Sequence, residues 1–394
     1  MAAAPRGTLQ GNTPATVKAP LGFSRAAEVV DDYDDRGLKR AVTRPLDGDF
    51  DAQFEVRECT LHDWSQRGRG ALDLLTMGFE AIDLSPHDEL QALLAGIRAA
   101  AEITPDEARR LRRLLTGRVF PLSGGKCLKF LNIASEGLIM RQGGPNGLKL
   151  GHEMSEMNGH EVASAVHGDQ DVFGTPLRQI MRGRAPMLLR HQTPDARNTL
   201  TPLVLVNLWI PLQQITRPLT LMDRRTLNAR EHQLRYALPT ETFLDRSEDM
   251  RFNDIWSFLY DEEQDWYFSS DMAHDQAYVF DTLGEPHGAT TLPGEAAAQY
   301  YYVLLKRQLK ALEMGGSVEV GGEPPELPVD TPAALRGVVA HMAQLAAAPP
   351  REEETDAWRE DVLCTLDSVV RKSLEMRVVA LLLPNIWPFN RGVL

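Results

Sequence analysis

The stretch Val166-His167-Gly168-Asp169-Gln170 sets an imidazole and a carboxylate two residues apart. On a β-strand both side chains leave the same face. A second imidazole from a distant strand would complete two histidines and one carboxylate around one face of a metal ion. His287, in Glu285-Pro286-His287-Gly288-Ala289, is the candidate. Such a set leaves the opposite coordination positions open, the arrangement used by non-haem Fe(II) oxygenases.

Spacing alone does not select this site. Ten histidines and 55 acidic residues in 394 should produce His-x-Asp/Glu about 1.4 times by chance, and the chain holds two. The other is His87-Asp88-Glu89. It follows Ser85-Pro86 and leads into Leu90, Leu93, Leu94 and Ile97, which reads as a helix start with acids in its first turn. His87 is therefore read as a surface residue, and the metal reading goes to His167, Asp169 and His287.

At 394 residues and 43% hydrophobic, the chain can bury a large core. A net charge of −13 argues against nucleic acid as a partner. Cys59, Cys127 and Cys364 stand far apart, so neither a disulfide framework nor a zinc site is indicated, and a reducing cytosol is the expected location. The apolar run Val378 to Leu383 is too short to span a bilayer, so no membrane partner is expected.

The elements that must position the site follow from periodicity. Residues 1–24 lack an apolar run of signal-peptide length and are expected to be a disordered tail. Residues 25–118 hold strands and helices packing on the core. Phe54 to Cys59 alternates as a half-buried strand, and helices are expected over Pro86–Ala101 and after Thr104-Pro105-Asp106-Glu107. Residues 119–293 break into short apolar runs with Gly and Pro between them, the texture of a sandwich or barrel. The longest, Leu203 to Ile210, reads as a strand buried on both faces. Residues 294–394 are expected to be a helical C-terminal region, its last helix running from about Thr355 to Leu383. Its apolar faces could cover the core or join two copies into a homodimer. The fold class expected is α+β.

Several separated blocks together resemble one family, the iron(II)/2-oxoglutarate oxygenases typified by the cephamycin protein CmcJ, fungal gibberellin desaturase and AsaB. The blocks are Leu72-Asp73 with Gly78-Phe79, His167-x-Asp169, Asn207-x-Trp209-x-Pro211-Leu212, Arg217-Pro218-Leu219, Asp223, Trp266-Tyr267-Phe268, Asp271-Met272, Val279-Phe280-Asp281 and His287-x-Ala289. They cover about residues 45 to 290, in order. The resemblance implies a double-stranded β-helix (cupin-like jelly-roll) core in which His167, Asp169 and His287 hold Fe(II). It further implies O₂ and 2-oxoglutarate as co-substrates, and hydroxylation or desaturation of a small-molecule substrate in secondary metabolism.

Two departures from the family pattern bear on 2-oxoglutarate. The relatives carry an arginine on a strand soon after the distal histidine, whereas Thr290 to Val303 holds no Arg or Lys. Ile210 also stands where relatives often have arginine. Arginine suits a distal carboxylate because its planar fork grips it bidentately. If 2-oxoglutarate binds, another strand must supply the cation, and Arg217 and Arg190 are the first candidates, ahead of Arg141 and Arg307. Among possible substrate contacts are Asn207, Trp209 and Tyr267. Asn207 and Trp209 share a strand face and most simply belong to the core, yet Asn207 in so apolar a run needs a hydrogen-bond partner. It could orient a metal ligand or a bound substrate. Tyr267 could face substrate or fill the barrel. His152 and His160 stand beside the proposed ligands without being needed as donors. Two rival readings stay open: an Fe(II) oxygenase whose substrate itself chelates the metal, and a non-catalytic β scaffold with a partner-binding helical C-terminus.

Overall fold

In the computed structural model, residues 15–30, 39–41, 54–66, 71–134, 138–151, 153–169, 202–239, 252–270, 272, 274–282, 284–315, 321–348, 350 and 355–384 are described. The strands used below are β1 (Thr16–Ser24), β2 (Phe54–Asp63), β3 (Phe79–Asp83), β4 (Lys126–Ile133), β5 (Ile139–Gly143), β6 (His167–Gly168), β7 (Leu203–Gln213), β8 (Leu219–Met222), β9 (Gln233–Pro239), β10 (Phe252–Phe258), β11 (Trp266–Phe268), β12 (Gln276–Asp281), β13 (His287–Ala289) and β14 (Arg371–Pro384). The helices are α1 (Asp88–Ala100), α2 (Pro105–Leu115), α3 (Glu295–Glu313), α4 (Ala333–Ala347) and α5 (Thr355–Ser368).

Two curled sheets face each other. One runs β1-β2-β11-β8-β13-β6-β10-β9 and ends on two short strands; the other runs β3-β12-β7-β14-β4, with β5 also paired to β14. From β5 to β14 the inner strands β6-β13-β8-β11 and β5/β4-β14-β7-β12 pass from one sheet to the other along the chain, except that β8 and β11 share the first sheet, which is the double-stranded β-helix. The fold is α+β with that core.

Period-2 alternation divides each sheet into an outer and an inner face. On the second sheet Val206, Leu208 and Ile210 of β7 and Leu374, Met376 and Val378 of β14 point outward. There they join Leu90, Leu94 and Ile97 of α1 and Leu111 of α2 in one apolar cluster. On the first sheet Met222, Trp266 and Phe268 point outward to Ala297 of α3 and Leu335 of α4. The inward faces meet through Trp209, Leu219, Leu221, Tyr278, Phe280 and the flanking Tyr267. Helix α2 begins as its sequence predicts: Thr104 Oγ1 accepts from the Glu107 N–H, and the Glu107 carboxylate accepts from the Thr104 N–H, a reciprocal cap.

Three expectations are corrected. The tail expected over 1–24 contains a strand, β1, paired antiparallel to β2 from Thr16↔His62 to Ser24↔Phe54. Its Val17, Ala19, Leu21 and Phe23 alternate onto the outer face, where they join Met222 and Trp266, a period-2 signal that the Pro- and Gly-rich composition obscured. The single helix expected from Thr355 to Leu383 is instead α5 followed by the long strand β14. That strand pairs with β7 on one side and with β5 and β4 on the other. Residues 294–394 are consequently not helical throughout; their last strand lies in the middle of the core. The apolar faces of α3, α4 and α5 meet one another around Leu305, Met342, Trp358 and Val362.

Candidate metal centre

His167 of β6 and His287 of β13 lie directly opposite each other in antiparallel register. Leu221 of β8 is opposite His287, and Tyr267 of β11 is opposite Leu221, so one inward row crosses the sheet. Two glycines let the strands meet here. A Cβ at Gly288 would stand 3.3 Å from the Ala165 carbonyl oxygen, and one at Gly168 would stand 3.1 Å from Trp256 Cβ.

One donor atom each from His167, Asp169 and His287 falls within 4.8 Å of the others, as the spacing predicts. Asp169 Oδ1 is 3.6 Å from His167 Nε2, and its Oδ2 is 3.7 Å from His287 Nε2. Each imidazole is oriented from behind: His167 Nδ1 donates to Ala165 O at 2.8 Å and His287 Nδ1 to Glu285 O at 2.9 Å. A carbonyl can only accept, so both Nδ1 atoms carry hydrogen and both Nε2 atoms face the carboxylate. That tautomer is the one a metal needs. Two imidazoles and one carboxylate, with nothing else converging as a fourth donor among the described residues, fit a first-row divalent ion with open positions.

Electrostatics agree. Burial opposes the Asp169 charge, but the hydrogen bond and charge of His167 and the Arg377 guanidinium hold its carboxyl well below the usual range. Burial and the neighbouring His167 push His287 down to about 4, so it stays neutral. For His167, burial lowers the pKa but the hydrogen bond and charge of Asp169 outweigh it and raise it. A metal would take that proton's place.

The other sequence candidates divide. Asn207 lies on the inward face of β7, opposite Phe280 on one side and Arg377 on the other. Its Nδ2 donates to Asp169 Oδ2, and its Oδ1 accepts from Thr282 Oγ1 at 3.0 Å. Trp209 is fully buried two residues on, with the Arg371 guanidinium over its ring at 5.3 Å. Tyr267 is half-buried between His62 and Phe79, at ring distances of 5.1 and 5.9 Å. Asp223 caps a turn and pairs with Arg225. Arg190 and His152 lie outside the described residues. His160 contacts the Glu156 carbonyl, away from the triad. His87 is half-buried rather than on the surface, its Nδ1 2.7 Å from Arg118 Nη1.

Arg217 adopts a left-handed backbone (φ 52°), with its N–H donating to the buried Glu295 carboxylate at 2.7 Å. Its guanidinium donates to Thr291 Oγ1 and Ser164 Oγ, both at 2.6 Å. A buried cation that the sequence did not single out is Arg371, at the start of β14. It is 1% exposed and donates through Nη1 to Arg217 O at 2.7 Å. Among the described residues the carboxylate that approaches it is Glu375, at 3.9 Å, and its Nε has no hydrogen-bond partner. Burial pushes its pKa down to about 9, the mark of a cation with too little countercharge. Ser373, Glu375 and Arg377 follow on the same inward face, and Arg141 of β5 pairs with Glu375 at 2.8 Å. The signal for it in the sequence is the period-2 alternation Arg371-x-Ser373-x-Glu375-x-Arg377.

A family model described as an Oxidoreductase/YMDC permease-like domain, YDMC, matches residues 152–298, a span containing all three donors. No curated protein matches. Among solved structures, the iron and alpha-ketoglutarate-dependent endoperoxidase NvfI is similar at 14% identity and a TM-score of 0.45, over 93% of this chain and 98% of that one. A tryptophan-to-phenylalanine variant of it is similar at 15% identity and a TM-score of 0.49, over the same shares. A different conformation of it is similar at 16% identity and 0.48, over 94% and 99%. The strand order and register of the two sheets define the fold. Among the described residues no helix is long and apolar enough to cross a membrane.

Proposed function

We propose that this chain is a non-haem Fe(II) oxygenase that uses 2-oxoglutarate and O₂ to hydroxylate or desaturate a small metabolite. The observation that carries the reading is the convergence of His167, Asp169 and His287, with both Nδ1 atoms tied back to carbonyls. Fe(II), when bound, supplies the redox chemistry that activates O₂, with 2-oxoglutarate giving two electrons as it is decarboxylated to succinate. The chain's own part is positional. His167, Asp169 and His287 present three donors from one side, and the buried aromatic wall of Trp209, Tyr278 and Phe280 excludes water.

Arg371 supports 2-oxoglutarate over a substrate that chelates the metal without it. Leaving a guanidinium inside the barrel without a close carboxylate is costly, and an incoming dicarboxylate relieves that cost. Arg371, with Ser373 beside it, is therefore the preferred anchor for the distal carboxylate, in place of Arg217 and Arg190. The strand that bears it follows His287 by way of three helices, which is why no arginine stands soon after that histidine.

The test is an anaerobic Fe(II) titration with and without 2-oxoglutarate, followed by the weak visible charge-transfer band of the chelate. A band that requires both components is expected. Fe(II) binding with no band, together with full O₂ consumption on substrate without 2-oxoglutarate, would replace this reading by the substrate-chelating one.

A further inference from the structure

Among the described side chains that touch Asp169, Asn207 is neither a metal ligand nor charged. We infer that Asn207, locked by Thr282, is a positioning residue that keeps Asp169 a one-oxygen ligand and so keeps the coordination positions opposite the triad open. The inference rests on the metal reading above.

The amide orientation is set by hydrogen-bond logic. An ionised carboxylate only accepts, so the atom that Asn207 turns toward Asp169 Oδ2 must be Nδ2. Its Oδ1 must then accept, and the Thr282 hydroxyl donates to it at 3.0 Å. Thr282 is itself 1% exposed, and its N–H donates to the Leu205 carbonyl at 3.3 Å, on the same strand as Asn207. The side chain in question is thus a buried amide on the rigid strand β7, with both ends engaged and no freedom to flip. A hydrogen bond on one carboxylate oxygen lowers its electron density and blocks the lone pair that a second metal bond would use. Without it, both oxygens of Asp169, each within 4 Å of an imidazole nitrogen, are free to close on the same ion. That closure would remove one position otherwise open to a chelating acid or to O₂. The groups behind metal ligands commonly carry such weight: their loss costs roughly ten- to a hundredfold in affinity or activity.

The experiment uses the full chain with Mn(II) alone, whose effect on water-proton relaxation reports how many exchangeable waters the bound ion holds. Asn207→Ala is expected to lower the relaxivity per bound Mn(II) by about a third, as three open positions become two. Thr282→Val should move it in the same direction, and Thr282→Ser, which restores the hydroxyl, should match the parent. Parent-like relaxivity and Mn(II) affinity in both Asn207→Ala and Thr282→Val would overturn the inference. If Asn207→Ala does not fold, the near-isosteric Thr282→Val decides alone on the same readout. A parent chain that binds no Mn(II) would overturn the metal reading itself and this inference with it, and is told apart because no variant is then needed. Because no 2-oxoglutarate is present, loss of the co-substrate reading leaves this test intact.

Discussion

At the scale of single residues, the site is a set of side chains each held by something behind it. His167 and His287 face the metal position because their Nδ1 hydrogens are already committed to Ala165 and Glu285 carbonyls. His167→Ala or Asp169→Ala should therefore lose most Fe(II) affinity, measured by anaerobic titration, while circular dichroism stays that of the parent. The strands carry the fold without the ion. Arg371→Gln should raise the 2-oxoglutarate requirement about a hundredfold, for a lost charged contact of about 3 kcal/mol, with Fe(II) binding nearly unchanged. Unaltered co-substrate dependence would return the anchor to Arg217. Glu285 is fully buried and neither carboxylate oxygen has a hydrogen-bond partner among the described groups. Burial raises its pKa well above the usual value, against the pull of Arg224. A raised carboxyl pKa means that the native state keeps a proton which the unfolded chain has already lost. Stability then falls as pH climbs from the unfolded value, near 4.5, through the folded one. Glu285→Gln removes that fall, so its melting temperature should exceed the parent's increasingly as pH rises from 5 to 8. A constant difference would show that Glu285 is charged in the native state.

At the scale of elements, β14 decides the most. It lies between β7 and the pair β5/β4, so each half of the strand is hydrogen-bonded on both sides. Val378 stands opposite Val206 and Ile133 at once. Proline there has no N–H to give the ladder and is tolerated essentially only at sheet edges. Val378→Pro should therefore cost at least about 3 kcal/mol and leave little soluble protein, read by yield and by heat denaturation. The element also unites two tasks: its outward Leu374, Met376 and Val378 close the core, and its inward Arg371 and Ser373 line the barrel.

Across the whole molecule, the outward and inward faces separate stability from chemistry. Leu94 of α1 and Leu111 of α2 lie in the cluster behind the second sheet, with β7 and β14 between them and the triad. Leu94→Ala should cost about 2–5 kcal/mol of stability, as buried leucine truncations do, read from urea denaturation. Fe(II) affinity should hold within about twofold, since sites more than 7–10 Å apart with no shared partner act independently. A large loss of iron binding in that variant would mean that the helices help shape the site.

The candidate triad is legible in the amino-acid sequence only in part: His167-x-Asp169 is local but matched in spacing by His87-x-Glu89, and His287 joins it through the ordered blocks that resemble a family. The buried strand over Leu203–Ile210 and the reciprocal cap of α2 are legible, since period and capping act within a few residues. Three features are not. The run after Ser368 satisfies helical spacing through Leu366, Val369, Val370 and Leu374, and strand spacing through Arg371, Ser373, Glu375 and Arg377. Only closure of the sheet against β7 and β4 selects the strand. The arginine proposed as the co-substrate anchor is not found near His287 because three helices intervene before the chain returns to the core. The partner of Asn207 is undetermined because a buried amide demands a hydrogen bond without naming it. Sequence by itself determined which residues could bind a metal and which segments must be buried; tertiary structure decided which cation shares the barrel and which amide holds the carboxylate. The reason is that such contacts join residues dozens to hundreds of positions apart, where neither helical nor strand period carries information.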